Sequence, residues 1–520
     1  MKKIIILFVF GILLIPDILA QKETAHWHFG KKAGLNFINT QTLTSTALTG
    51  GVTLNEMPTL ETGFLTTDEG CFTISDKNGN LLMASDGSTV YGKTGNVLIS
   101  NLGGNNTSTQ SGIVCPAPGY PGRYYVFGFY RGGSYAVIEF DSNQNGTVIQ
   151  TPVALPVQGV QEQITAVRHS NKTDYWILYR NNNNSTTGSI VALLLSSEGL
   201  SASPVTSTVP SIIGRFGYMK TSPNGKYLAW NMGDDEESNA ASSYGVAEFD
   251  ASTGIVSNPK SVSGYITYTP WANYGVEFSI DSKNVFFSVW GVDDYGLGYE
   301  DFGSFDRYAF GVWAANIESF KTAANPKTTL RKIGNVCENI QLQSDGRIYG
   351  TVSGGNRDGR YSLFVIPDPT DDINSIQLLE FENVFYANYR PIAGLPTFMA
   401  SFFDMTGEEP KSFVCAGNDF HYAVEVSLAG TSLDPVKLVW DYGDGSSATE
   451  QAISSGVTTY KQVHSYPSGG NYTITVTPYR ADNTALSAIT IPVNAVECSF
   501  RTNRMIRHDM LNASTKAVNR

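Results

Sequence analysis

One phrase recurs through residues 70–366: an alternating apolar strand, a tight polar turn, and a second alternating strand. The clearest copy runs Gly70, Cys71, Phe72, Thr73, Ile74, Ser75, turns at Asn78 and Gly79, and resumes at Leu81, Leu82 and Met83. An Asn-Gly pair supplies the positive φ of a hairpin turn. Further copies begin near Ser111, Ile164, Gly217, Val276 and Ile340, giving six units. The turn residues Asn78, Asn224, Lys283 and Asp345 recur at multiples of roughly fifty to sixty residues, near the spacing of propeller blades. A lone unit of this kind cannot bury both faces, so the copies must stack and close. The expectation is an all-β chain whose residues 21–405 form a β-propeller. Trp27, His28, Phe29, Leu35 and Phe37 would pair with 395–403 to complete a seventh blade; six and eight blades are the alternatives.

Composition agrees with many short strands. The chain has 51 glycines, 27 tyrosines and only 16% charged residues. Residues 1–20 read as a secretory signal peptide: Lys2 and Lys3, an apolar run over 4–15, then a small residue at Ala20. The chain is therefore expected to be exported, to the cell surface or alternatively the periplasm. No other apolar run is long enough to span a bilayer as a helix. A formal charge of −12 argues against a nucleic-acid partner, since phosphate binding needs a basic surface.

A polar stretch at 406–411 separates a smaller region, 412–497, whose segments also alternate and predict a β-sandwich. Here Val439, Trp440, Asp441, Tyr442, Gly443, Asp444, Gly445 and Ser446 are followed by His464, Tyr466 and Tyr472. This pattern resembles the PKD domain signature, with Tyr442 in place of the usual Phe. The resemblance implies an extracellular immunoglobulin-like sandwich used for spacing, adhesion or protein contact. In it Trp440 would anchor the core, Gly443 and Gly445 would permit the turn, Asp444 would bond back to turn amides, and Tyr466 and Tyr472 would pack across the sandwich. The stretches around Trp27, Glu69, Ser108 and Gly394 are similar to PKD-containing Bacteroidetes surface proteins of the type IX secretion and gliding-motility kind. No C-terminal sorting domain is visible.

The five cysteines show no CxxC spacing, so zinc is not expected; Cys415 and Cys498 bracket the last domain and form the expected disulfide. The tail 498–520 is basic on an acidic chain, and Arg501, Arg504 and Arg507 make it either a solvated end or a docking peptide. Two acidic stretches hold calcium-type ligands: Asp234 with Asp235, and Asp293 with Asp294 and Asp301. A solvated acidic loop is the simpler reading, and no cofactor other than calcium is expected. The second stretch also carries Tyr295, Tyr299, Phe302, Phe305 and Tyr308, which suit a contact loop for protein or glycan. His26 and His28 share a strand face, as a metal pair or as packing beside Trp27. No nucleophile elbow, zincin or P-loop motif occurs. The expected function is a non-catalytic exported module that binds a cell-envelope protein or a glycan. The alternative is a carbohydrate-active hydrolase with paired acids in the propeller funnel.

Overall fold

A computed structural model describes residues 22–130, 132–157, 162–181, 188–209, 212, 214, 216–233, 242–263, 273–289, 311–334, 338–351, 361–403, 413–415, 420–426, 434–454, 459–486 and 488–496. The chain is all-β, built of many small antiparallel sheets, with one short α-helix, Ile317–Thr322, among the described residues. It divides into two compact units, Met1–Thr406 and Gly407–Arg520.

Six sheets follow one another in the first unit, at 72–99, 112–154, 164–209, 216–263, 273–334 and 339–385. Each is an antiparallel meander, the third with a short extra strand, and they coincide with the six repeated units. The turn chemistry explains the repeat. Asp76 Oδ1 accepts from the amides of Asn78 (2.8 Å) and Asn80 (2.9 Å), and Gly79 takes φ 88°. Asp141, Asn224, Asp281 and Asp345 do the same for later turns.

Burial grades across each sheet. The first strands Phe72–Ser75, Asn273–Phe278 and Asn339–Leu342 are buried at every residue, whereas the last strand of the second sheet, Gly146–Ala154, alternates and reaches solvent. These first strands therefore lie inside, covered on both faces, whereas Gly146–Ala154 lies at an outer edge. Successive first strands touch, from Phe72–Ser75 through Gly112–Pro116, Ile164–Arg168, Phe216–Thr221 and Asn273–Phe278 to Asn339–Leu342.

A three-stranded sheet, His26–Phe29, Lys31–Thr44 and Thr53–Thr66, touches both the first and the sixth sheets. Toward the first, Thr73 Oγ1 donates to the His26 carbonyl at 2.7 Å. Toward the sixth, Gln343 Nε2 donates to the Thr24 carbonyl (2.9 Å) and Phe29 meets Phe385 edge-on at 5.8 Å. Trp27, fully buried, meets Phe37, Tyr349 and Phe398 with ring centroids 5.0–6.0 Å apart. Burying one such side chain contributes about 1.5–3 kcal/mol.

The expected pairing of 395–403 with Trp27 needs correction. That segment forms no strand of the N-terminal sheet. It threads the space between the first strands and ends in a 3-10 turn, Ala400–Phe403. The Thr397 amide donates to the Cys71 carbonyl (2.8 Å), and the Arg168 amide donates to Ser401 Oγ (2.6 Å). Pro396 lacks the N–H a ladder requires. Phe398, Met399, Phe402 and Phe403 are all buried there.

In the second unit five strands form one sheet and two form another. Phe413–Cys415 lies parallel to Ile489–Val496; the next neighbours, in order, are Gly470–Tyr479, Lys437–Asp441 and Thr449–Ala452. Phe420–Glu425 pairs with Thr459–His464. Both sheets bury side chains in one core around Trp440, with Tyr422, Leu438, Tyr466 and Val476.

Candidate functional site

A buried polar cluster joins three inner strands of the first unit. Lys220, Glu277 and Gln341 stand on the first strands of the fourth, fifth and sixth sheets. Lys220 Nζ donates to Glu277 Oε2 at 2.6 Å, to Gln341 Oε1 at 2.8 Å and to the Ile340 carbonyl at 3.3 Å. Glu277 also accepts from the amides of Leu342 (2.8 Å) and Phe278 (2.9 Å). Burial pushes the Lys220 ammonium down from its ordinary range, and Glu277 opposes that shift. With Thr165, Thr221, Phe398, Ala400 and Phe403 these groups leave a cavity of about 10 Å³. That is room for about one water, not for a substrate.

Three carboxylates lie just before first strands: Glu69, Glu162 and Glu338. Glu162 Oε2 accepts from the amide (3.0 Å) and hydroxyl (3.2 Å) of Thr109. Glu338 is buried. Burial, then Glu69, Tyr218, Glu338 and Glu162, push the Tyr274 phenol well up. Among the described residues, these carboxylates stand at inner-strand ends, where a funnel hydrolase would need its acids. Among the described residues, no group of three His, Cys, Asp or Glu is placed to hold a metal ion.

The N-terminal sheet carries a carboxylate that sequence reading missed. Glu61 reaches across the middle strand to both histidines. His26 Nδ1 lies 2.9 Å from each Glu61 oxygen, His28 Nε2 lies 3.2 Å from Oε1, and Asn36 Nδ2 donates to Oε2 at 3.2 Å. Gly34 opens the path, since a Cβ there would meet Glu61 Cγ at 2.9 Å. Burial pushes the Glu61 carboxyl up, but hydrogen bonds and charge from His26 and His28 outweigh it, and its pKa falls to about 2. The two histidines thus hold a half-buried carboxylate rather than merely packing beside Trp27.

A groove of about 740 Å³ lies between the connection 316–331 of the fifth sheet and 367–376 of the sixth. Asn316 caps the short helix by accepting from the Ser319 amide (3.1 Å). Arg331 Nη1 donates to the carbonyls of Ile373 (2.5 Å) and Ile376 (3.1 Å), tying the two walls together. Asn284 Nδ2 fixes the second wall through the Pro369 and Asp371 carbonyls, both at 3.0 Å. Exposed Thr328, Asp371, Asp372 and Asn374 offer hydroxyl, carboxylate and amide groups to a polar ligand.

In the second unit the motif residues converge. Trp440 and Tyr466 are fully buried, and Gly443 and Gly445 take φ 71° and 84°. Asp441 accepts from the Gly443 amide (2.9 Å), and Asp444 accepts from the Ser446 amide (3.0 Å). His464 Nε2 lies 2.8 Å from Asp444 Oδ2 and stacks on Tyr442 at 3.8 Å. Tyr466 donates to the Tyr442 carbonyl (3.0 Å) and stacks on Tyr472 at 4.2 Å. Burial raises the Asp444 carboxyl, but hydrogen bonds from Ser446 and His464 outweigh it, and the pKa drops to about 2.

Several expected residues lie outside the described residues: the leader, the 406–411 linker, Asp234, Asp235, Asp293, Asp294 and Asp301, the aromatic loop Tyr295, Tyr299, Phe302, Phe305 and Tyr308, and Arg501, Arg504 and Arg507. The Cys415–Cys498 bridge does too. Cys71 and Cys115 are free and buried, and burial pushes both thiols up.

No protein-family model matches the chain, and no curated protein matches it. Among solved structures it is similar to Hsv2 of Kluyveromyces lactis, at 10% identity and TM-score 0.32, covering 69% of this chain and 97% of that one. A 6-phosphogluconolactonase-like protein of Bacteroides fragilis matches at 11% identity and TM-score 0.30, covering 63% and 96%. A Synechocystis apocarotenoid oxygenase matches at 11% identity and TM-score 0.34, covering 61% and 72%.

Proposed function

We propose that this chain is an exported, non-catalytic binding module whose first unit displays a contact face at its rim. In this reading the six meanders and the N-terminal sheet are seven blades of a propeller, and the second unit is a PKD-type sandwich that spaces or docks it. The observation that carries the reading is the groove of about 740 Å³ lined by exposed polar side chains, set against the about 10 Å³ left beside the buried Lys220–Glu277 pair. Chemistry on a substrate needs room beside the reacting groups. The Lys220–Glu277 pair instead joins three inner strands. The partner is a cell-envelope protein or a glycan that meets the hydroxyls, amides and carboxylates of the groove.

A photo-crosslinking amino acid at Thr328 or Asn374, in the full-length protein incubated with envelope fractions, tests this. Adducts from these positions, and none from a control on the opposite rim such as Ile149, are expected. Equal labelling from all positions would contradict the proposal. The competing hydrolase reading relies instead on Glu69, Glu162 and Glu338, and predicts turnover that one carboxylate substitution removes.

A further inference from the structure

The N-terminal sheet and the end of the sixth sheet meet in a patch that is basic and aromatic on an acidic chain. The Lys31 amide donates to the Arg390 carbonyl (2.9 Å) and the Arg390 amide donates to the Lys31 carbonyl (3.2 Å). Lys32 bridges the same residue. Three cationic residues therefore share one backbone junction. Gly30 permits it: at φ 53° its Cβ would sit 2.4 Å from the Arg390 carbonyl oxygen.

Lys32 is exposed and holds φ 59°, at a register shift between Lys31 and Ala33. A lysine in the left-handed region costs conformational energy, and such bulges recur where a side chain is re-aimed. Beside it, Tyr386 and Tyr389 close a tight turn by mutual backbone hydrogen bonding, and they are 60% and 36% exposed. The Arg390 guanidinium is already fixed: Nη1 donates to Tyr361 Oη at 2.6 Å, and the cation lies 5.7 Å from that ring. Lys31 is paired with Asp68 at 2.5 Å, which leaves Lys32 and Arg390 as the cations of the junction.

We infer that this patch binds an anionic polysaccharide, one whose uronate carboxylates meet Lys32 and Arg390 while its sugar faces lie on Tyr386 and Tyr389. Exposed aromatic rings suit the apolar faces of pyranoses, and the cations add carboxylate recognition. The net charge of −12 opposes a broad polyanion such as duplex DNA or an anionic membrane. A single polysaccharide strand can touch the patch alone, and charges beyond about 8 Å are screened at physiological salt. This inference rests on the reading of the first unit as a binding module, but uses a surface other than the groove.

The test is binding of alginate oligosaccharides to the full chain, against neutral dextran, duplex DNA and phosphatidylglycerol vesicles. Lys32→Gly removes the cation while suiting the left-handed backbone, and Tyr386→Ala removes one ring from the surface. The expected result is alginate binding that weakens with salt and falls at least about tenfold in the double variant, with unchanged near-ultraviolet circular dichroism. No alginate binding, equal binding of dextran, tighter binding of DNA or vesicles, or binding indifferent to the double variant would overturn the inference. Crosslinking from the groove would then still stand or fall by itself.

Discussion

The centre of the first unit and its rim groove are built from the same repeated sheets, yet they solve opposite problems. The centre is made of first strands, and 395–403 packs beside the Lys220–Glu277 pair among them. The groove is made of connections between strands, which can lengthen without disturbing the ladder. The difference teaches that the repeat fixes an interior common to all sheets, while individuality sits where the fifth and sixth sheets carry longer connections. Substitutions at the centre should therefore cost stability, and those at the groove should cost only binding.

The largest expected effect is at the centre. Glu277→Gln or Lys220→Met alone leaves a buried charge without its partner, and should destabilise the first unit by about 3–5 kcal/mol in urea unfolding. Replacing both with apolar residues, Lys220→Met with Glu277→Leu, should recover much of that loss. If the singles cost less than the double, the pair is not what closes the centre. Ser401→Ala removes the acceptor of the Arg168 amide and should cost about 1–3 kcal/mol in the same assay.

Acid should act next. Glu61 has its folded pKa depressed to about 2, below its ordinary value near 4.5. Its contribution is fully present above the unfolded value and is lost as pH falls from about 4.5 toward 2. Discounted for partial exposure, the loss is on the order of 1–2 kcal/mol. Glu61→Gln should flatten that part of the pH profile; an unchanged profile would mean that the histidines do not hold the carboxylate. The smallest stability effect belongs to the groove. Thr328→Trp should change unfolding by no more than about 0.5 kcal/mol while reducing partner crosslinking.

The repeat was legible because its turns use Asn, Asp and Gly, whose local hydrogen bonds do not depend on the rest of the chain. Six sheets begin where six units were read. What stayed hidden was long-range. Glu61 is 33 residues from His28, and nothing local to either announces the other. Lys220, Glu277 and Gln341 each stand four places before the turn acceptor of its unit, Asn224, Asp281 and Asp345; taking Lys283 as the fifth unit's turn residue hid that register. Aligning the units would have placed all three at one level. The segment 395–403 was misread because its apolar residues satisfy a strand pattern equally well; only Pro396 argued otherwise. In the second unit, the clustering of Trp440, Asp444, His464 and Tyr466 follows from a motif that is contiguous in two short stretches.

The most direct test is a glycan panel scored simultaneously for binding and for bond cleavage, with the full chain and with Glu69→Gln, Glu162→Gln and Glu338→Gln. A module that only displays a surface predicts retained ligand, no new reducing ends, and no dependence on those three carboxylates. Steady turnover that vanishes when one of them is replaced would contradict it.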